Sequence, residues 1–552
     1  MSAPEFDREV VGSAGAEAPS SDAPEESLVD AGEHGAASGE VDAWRPRWLA
    51  VSNQGTYRLT RFVFLRFLGL IYTVAFAVAC NQLVPLVGHK GLLPADQFLQ
   101  RVKETLGGEA AIRLPTLFWF GVSDAALDGV AYAGLALGLL VLSGFANAVI
   151  LFLLWLFYLS IVQAGQLFWG YGWESLLLET GFLAAFLAPP LDPRPFPKKE
   201  SPPRVAIWLL WWIVFRLMLG AGLIKLRGDT CWRDLTCLVT HYETQPLPNP
   251  LSPYLHQLPL VVQKGSVLFN HFAEIVAPFL LFCPRRFRQW GALSVIAFQL
   301  LLIVSGNLSW LNWLTITIAL ACFDDRAWLR VCPARLRAKL EPLAVAHPLP
   351  KARRRTVITY AVIVGVLSLN PVLNMFSPSQ RMNSSFDPLY LVNTYGAFGS
   401  VGRERYEILL EGTNDDDPQT AAWLAYEFRC KPGRLDRRPC VVAPYQYRID
   451  WQMWFAAMSD YRHDPWVVHL VYKLLLGQES TLSLLASNPF PSRPPKYIRA
   501  ELYRYEFTRF GDATDDYWKR TRAGAFLPPV SAMDPGLLDF LDRYGWLGEP
   551  PP

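Results

Sequence analysis

The sequence predicts a polytopic α-helical membrane protein with about nine transmembrane helices, followed by a β-rich α+β domain outside the membrane. Three observations carry that expectation. Of 552 residues, 51% are hydrophobic and only 18% charged, with a positive mean hydropathy, which is too apolar a balance for an ordinary soluble chain of this length. Nine apolar runs of roughly helical length follow one another between residues 62 and 373. From Tyr395 onward the texture changes to aromatic-rich segments that alternate with the two-residue period of half-buried strands. The formal charge of +2 gives no basis for a nucleic-acid partner, so the basic residues matter through their placement.

Residues 1–43 form an acidic stretch rich in Ala, Gly and Ser and poor in aromatics, too polar to bury a core, and are expected to be a disordered tail. They lack the basic start and apolar core of a cleaved signal peptide, so the first apolar run is expected to act as an uncleaved anchor. The nine candidate spans are residues 62–84, 126–142, 146–166, 173–189, 205–226, 266–283, 290–304, 310–323 and 356–373. Lys and Arg concentrate on the cytoplasmic side of membrane proteins. With the N-terminus inside, the inner loops hold Arg194, Lys198, Lys199 and Arg204, then Arg285, Arg286 and Arg288, then the run from Arg326 to Arg355. The short turns near Gly170 and Gly306 hold none. This orientation places residues 83–121, the loop 227–264 and everything after Asn374 on the outer face. The chain then divides into the tail 1–43, a membrane domain 44–374 and an outer domain 375–552.

Four of the eight cysteines fall on that outer face, as two close couples, Cys231 with Cys237 and Cys430 with Cys440. In an oxidising compartment these couples are the simplest of three possible pairings, and structural staples are their ordinary role. No C-x-x-C is present, and His241, His256 and His271 are too widely spaced for a zinc site. In the loop, Asp229, Arg233 and Asp234 are placed to satisfy one another and nearby backbone groups, and the prolines of "QPLPNPLSP" enforce extended chain.

Charged residues inside spans are costly and count as site candidates. Arg216 and Glu274 lie at similar depths and are expected to pair, with Glu179 competing for the same arginine. Lys225 lies near the outer end of its span, where snorkelling is its ordinary explanation. In the outer domain, "RYEILLEG", "WLAYEFRC", "YQYRIDWQMWF" and "YIRAELYRYEFT" read as strands, and "DPWVVHLVYKLLLG" reads as a helix stopped by Gly477. Tyr445, Asp450, Trp451 and Trp454 are the candidate contact residues on that face, since exposed aromatics beside arginine anchor partners well.

Several long blocks resemble the lipase maturation factor family: "GLIKLRGDTCWRDLTCLVTHYETQPLPNPLSPYLHQLP", "LVNTYGAFGSVGRERYEILLEGT", "YEFRCKPGRLDRRPCVVAPYQYRIDWQMWFAAM" and "LLLGQESTLSLLASNPFP". The likeness runs from about Arg58 to Pro529. It implies a multi-pass membrane factor, without a cofactor, that helps secreted clients such as dimeric lipases reach an active fold. The C-terminal domain would then meet the client on the lumenal face of the endoplasmic reticulum membrane. The Ala/Arg/Pro-rich flavour of the chain also fits a bacterial source and an inner membrane.

A shorter likeness points to an enzyme. "AGLIKL" followed by Trp232 is similar to the segment of the vitamin K-dependent carboxylase group that ends a membrane helix with its active-site lysine. That resemblance implies Lys225 as a base beside a quinone-like ligand. Other catalytic signatures are missing: "FGSVG" has Phe398 where a nucleophile elbow needs glycine, and no phosphate-binding loop or H-E-x-x-H occurs. A transporter is a third class, motivated by the charges within the spans.

Overall fold

The computed structural model describes residues 56–197, 200–345 and 347–547. The acidic tail 1–43 and the basic residues Lys198 and Lys199 lie outside the described residues. The membrane region is built from helices α1 (Arg58–Val87), α2 (Asp124–Ser143), α3 (Ala148–Ala164), α4 (Gly172–Leu187), α5 (Arg204–Arg227), α6 (Leu260–His271), α7 (Arg285–Ser305), α8 (Leu311–Ala319) and α9 (Lys351–Leu367). Among the described residues five helices are long and apolar enough to cross a membrane: α1, α2, α5, α7 and the stretch Lys351–Phe376 that begins with α9. The α3 and α4 helices are apolar but shorter, with 17 and 16 residues.

Local chemistry sets the ends of these helices. The Asp325 carboxylate accepts from the backbone N–H groups of Arg58, Leu59 and Thr60, three of the orphan donors that open α1. Ser123 caps α2 and Asn147 caps α3 through their side-chain oxygens. Between α2 and α3 the chain reverses at Gly144, whose φ of +128° suits glycine. The apolar run after α6 passes through a π turn, Phe272–Val276, into Ala277–Leu280. Pro278 has no N–H to offer the carbonyl four residues back, and the π turn absorbs that gap.

The helices pack closely where glycine faces a large side chain. Gly134 of α2 lies against Phe76 of α1, and Gly181 of α4 lies against the hydroxyl of Tyr72, so the backbones approach without a Cβ between them. At one end of the bundle the start of α1 meets Pro197, Asp325 and Ala344, and Arg353 meets Leu187 and Ala188. Those contacts gather the arginine-rich loops together. The opposite end bears the cysteine couples, each joined as a disulfide, and the C-terminal region.

That region contains an antiparallel sheet of order β2-β1-β3-β4, with β1 Arg405–Thr413, β2 Leu424–Ala425, β3 Tyr497–Phe507 and β4 Trp518–Val530. Helices α10 (Arg448–Ala456) and α11 (Trp466–Leu475) pack beside it, and Gly477 follows α11 with a φ of +63°. Two strand expectations change. "WLAYEFRC" pairs over only two residues. "YQYRIDWQMWF" is helical, because Arg448, Trp451 and Gln452 recur at helical spacing and are all buried. The long strand β4 adds an element that the sequence reading did not resolve. The loop 227–264 is likewise more ordered than its prolines suggest. Pro248 bridges to Gly306, and Ser252–His256 is a short helix with Pro253 in its first turn.

Replacing Gly181 with Ala places a methyl group on the Tyr72 hydroxyl. The expected result is a loss of about 1–3 kcal/mol from overpacking, read as a lower melting temperature of the detergent-solubilised protein, with a smaller loss in the Gly181→Ala/Tyr72→Phe pair.

Candidate functional site

Two buried glutamates on α4 organise the junction between the bundle and the C-terminal region. Glu179 pairs with Arg216 of α5, both 2% exposed. It also accepts from the Asn393 backbone N–H at 3.0 Å, the Asn393 side chain at 3.1 Å and the Tyr395 hydroxyl at 2.6 Å. Arg216 in turn donates to the Asn393 carbonyl at 2.6 Å. Glu179 lies seven residues into α4, about 10 Å from its start at 1.5 Å per residue. The "LVNTYGAF" segment therefore reaches well into the bundle. The expected Arg216–Glu274 pair does not form, since Glu179 wins the arginine and Glu274 takes a different cation.

Glu174, five residues nearer the helix start, is answered from much further along the chain. Arg448 of α10 donates to it at 2.7 Å and to the Phe168 carbonyl at 2.7 Å. The Arg448 guanidinium lies 3.9 Å from the centre of the Trp169 ring, and Tyr158 donates its hydroxyl to Glu174. Both charges are almost wholly buried, at 0% and 1% exposure. Around this pair, Gln82 donates to the Gln446 carbonyl and accepts from the Arg448 N–H, and Asn307 joins the Cys440 carbonyl to the N–H groups of Val442 and Ala443. Arg405 of β1 is buried against Glu407 and donates to the carbonyls of Glu243, Gln245 and Pro246 in the loop 227–264. Loop, bundle and sheet are thereby fastened into one end of the molecule.

A cavity of about 510 Å³ opens at this seam. Its polar corner is Lys225, which does not snorkel. It is 4% exposed and donates to Glu274 at 2.6 Å and Asn270 at 2.9 Å, and its ammonium lies 4.9 Å from the centre of the Trp232 ring. Asn270 donates onward to the second oxygen of Glu274 at 3.0 Å. His241 faces the same space edge-on to Phe398, and burial, reinforced by the Lys225 charge, pushes its imidazole down to about 4. Apolar walls come from α5, α7 and the Phe398 loop, and Trp451 and Trp454 of α10 close one side.

The predicted contact residues are placed differently from expectation. Asp450 is fully buried and accepts from the N–H groups of Cys430 and Lys431, at 2.6 and 2.9 Å. Trp451 is buried against Tyr171 and Trp173. Neither side chain reaches a partner. Trp454 is half-buried and donates to the Thr244 carbonyl, and half-buried Tyr445 accepts from Gln82. In the loop, Asp229 caps the turn at Cys231 and Arg233 donates to the Leu226 carbonyl, while no ion pair joins Asp229, Arg233 and Asp234 among the described residues. Among the described residues no cluster of His, Cys, Asp or Glu is arranged to hold a metal ion. The sequence reading passed over Glu174, Arg448 and Asn393, and weighed His241 only as a zinc ligand. Glu174 carried a usable signal, a second acid within an apolar run.

Comparison with known proteins supplies the family context. A family model described as the lipase maturation factor transmembrane domain matches residues 59–330, and one described as the lipase maturation factor C-terminal domain matches residues 391–528. The chain is 47% identical over 508 residues to lipase maturation factor 1 of Bos taurus, covering 87% of this chain and 90% of that protein. It is 44% identical over 517 residues to lipase maturation factor 1 of Homo sapiens, covering 89% and 91%. It is 32% identical over 613 residues to lipase maturation factor 2 of Xenopus tropicalis, covering 90% and 86%. No solved structure matches the chain.

Arg448→Met strands Glu174 in an apolar site, and the expected loss is about 3–5 kcal/mol. Limited proteolysis should then release the C-terminal region, and Arg448→Met combined with Glu174→Gln should restore part of the loss. Asp450 gives a pH test. Burial raises its carboxyl to about 6 against the two backbone N–H bonds that lower it. A raised folded-state value means that Asp450's contribution is greatest below about pH 4 and is lost as pH rises through about 6, a swing of about 3 kcal/mol. Denaturation midpoints measured from pH 4 to 7 should show this swing in the wild type and lack it in Asp450→Asn.

Proposed function

The chain belongs to the lipase maturation factor family, and from that premise we propose that it is a membrane factor for the maturation of secreted lipases, acting through a rigid platform on the non-cytoplasmic face. The observation that carries this reading is the burial of Arg448 against Glu174, with Asn393 and Tyr395 against Glu179. Those contacts hold the C-terminal domain still relative to the bundle. A client that must be held while it folds is served by a surface that does not swing.

The arrangement we infer has nine crossings, with the arginine-rich end cytoplasmic and the disulfide-bearing end in an oxidising lumen, in the endoplasmic reticulum where that organelle exists. The excess of arginine in the loops of one end and the disulfides at the other support this orientation. The client surface is supported by exposed apolar side chains on the C-terminal region. Val441 beside the second disulfide is 77% exposed, and Met458 just beyond α10 is 56% exposed. These residues replace Asp450 and Trp451 as the contact candidates. Lys225 is engaged by Glu274, Asn270 and the Trp232 ring, an arrangement that suits a structural cation better than a catalytic base.

The test is a cell line that secretes a lipase and lacks its own maturation factor. Expressing this chain is expected to raise the specific activity of the secreted lipase. Val441→Asp with Met458→Asp is expected to remove most of that gain at an unchanged level of membrane-inserted protein, and to reduce co-purification of the lipase precursor. Unaltered rescue by the double variant would move the contact surface elsewhere.

A further inference from the structure

The cavity beneath the junction contains a buried polar group with no partner. His241 is 7% exposed, and neither of its ring nitrogens is hydrogen-bonded by any described residue. Its neighbours are otherwise satisfied, because Lys225, Asn270 and Glu274 hydrogen-bond one another. An imidazole that lines a cavity with neither ring nitrogen engaged by the protein is free to hydrogen-bond whatever occupies the space.

The shape of the cavity says what that is. Its wall runs along α5 from Leu217 to Lys225, about 12 Å at 1.5 Å per residue. The volume of about 510 Å³ lies within the range of small-molecule sites, roughly 300–1,000 Å³. Leu301 and Val304 of α7 line it while remaining 52% and 45% exposed. Exposed apolar residues on a helix able to cross a membrane face lipid, so the cavity is open to the bilayer from the side. The charge within it is balanced, with one cation and one anion in contact at 2.6 Å. Burial and Lys225 hold His241 neutral above about pH 4. A charged headgroup would therefore sit uncompensated in a desolvated corner, whereas a neutral imidazole offers one N–H and one lone pair to an uncharged group.

We propose that the cavity binds an uncharged single-chain amphiphile that enters sideways from the bilayer, lays its chain along α5 and α7, and hydrogen-bonds its hydroxyl or ester carbonyl to His241. The occupied cavity joins α5, the loop 227–264 and α10, so the ligand rests on both sides of the junction. This goes beyond the maturation role, which stands on separate observations.

The probe is a monoacylglycerol with a photoreactive diazirine in its chain, added to the full chain in lipid nanodiscs and compared with the fatty acid of the same chain. The expected label falls on peptides containing residues 217–225 and 298–308. His241→Phe is expected to weaken labelling by roughly three- to tenfold, the effect of one hydrogen bond. Ala221→Trp fills the cavity from α5 while leaving His241 in place and is expected to abolish the label; it decides the question where His241→Phe does not fold. The fatty acid should label less than the monoacylglycerol. Equal labelling of wild type and Ala221→Trp, label spread evenly over the lipid-facing residues of α2 and α9, or preference for the fatty acid would each overturn the proposal.

Discussion

Glu174 and Glu179 lie about 1.4 turns apart on one helix at 3.6 residues per turn, inside an apolar bundle, and everything at that end of the molecule is arranged to answer them. A lone carboxylate in such a place costs several kcal/mol. Two of their partners, Tyr158 for Glu174 and Arg216 for Glu179, come from neighbouring helices. The others are Asn393, Tyr395 and Arg448, more than two hundred residues along the chain. The bundle is thus completed electrically by the C-terminal region. Two domains that read as separate in the sequence are one compact unit.

This constraint explains why the junction is rigid and also why it is hollow. The polar anchors fix the separation of α4, α5, α10 and the loop 227–264 from several directions at once. Arg405 reaches the loop carbonyls, Asn307 reaches the chain after Cys440, and Gln82 reaches the start of α10. Side chains between the anchors, including Met218, Phe298 and Phe398, do not fill the remaining space. A well-packed soluble core would close such a void.

The division of labour follows. Disulfides hold the small loops, buried ion pairs hold the domains together, and apolar residues such as Val441 and Met458 stay exposed. Lys225 illustrates how position alone misleads. A lysine two residues from the end of a span usually reaches for water, yet Glu274 and Asn270 one helix away, with the Trp232 ring above, keep it inside.

The sequence by itself determined what depends on local composition and period. The apolar runs gave the helices of the bundle, the alternating aromatic stretches gave β1 and β3, Gly477 gave the end of α11, and the long unusual blocks gave the family. It also marked Glu179, Arg216, Lys225 and Glu274 as costly charges, because a charge in an apolar run is visible without a partner. Only the tertiary structure decided who pairs with whom, turned "YQYRIDWQMWF" from a strand into a helix through its buried Arg448, Trp451 and Gln452, and buried Asp450 beneath Cys430 and Lys431. The physical reason is the same in each case. Pairing energy depends on distance in space, and residues hundreds of positions apart carry no mark in the chain of the place where they will meet.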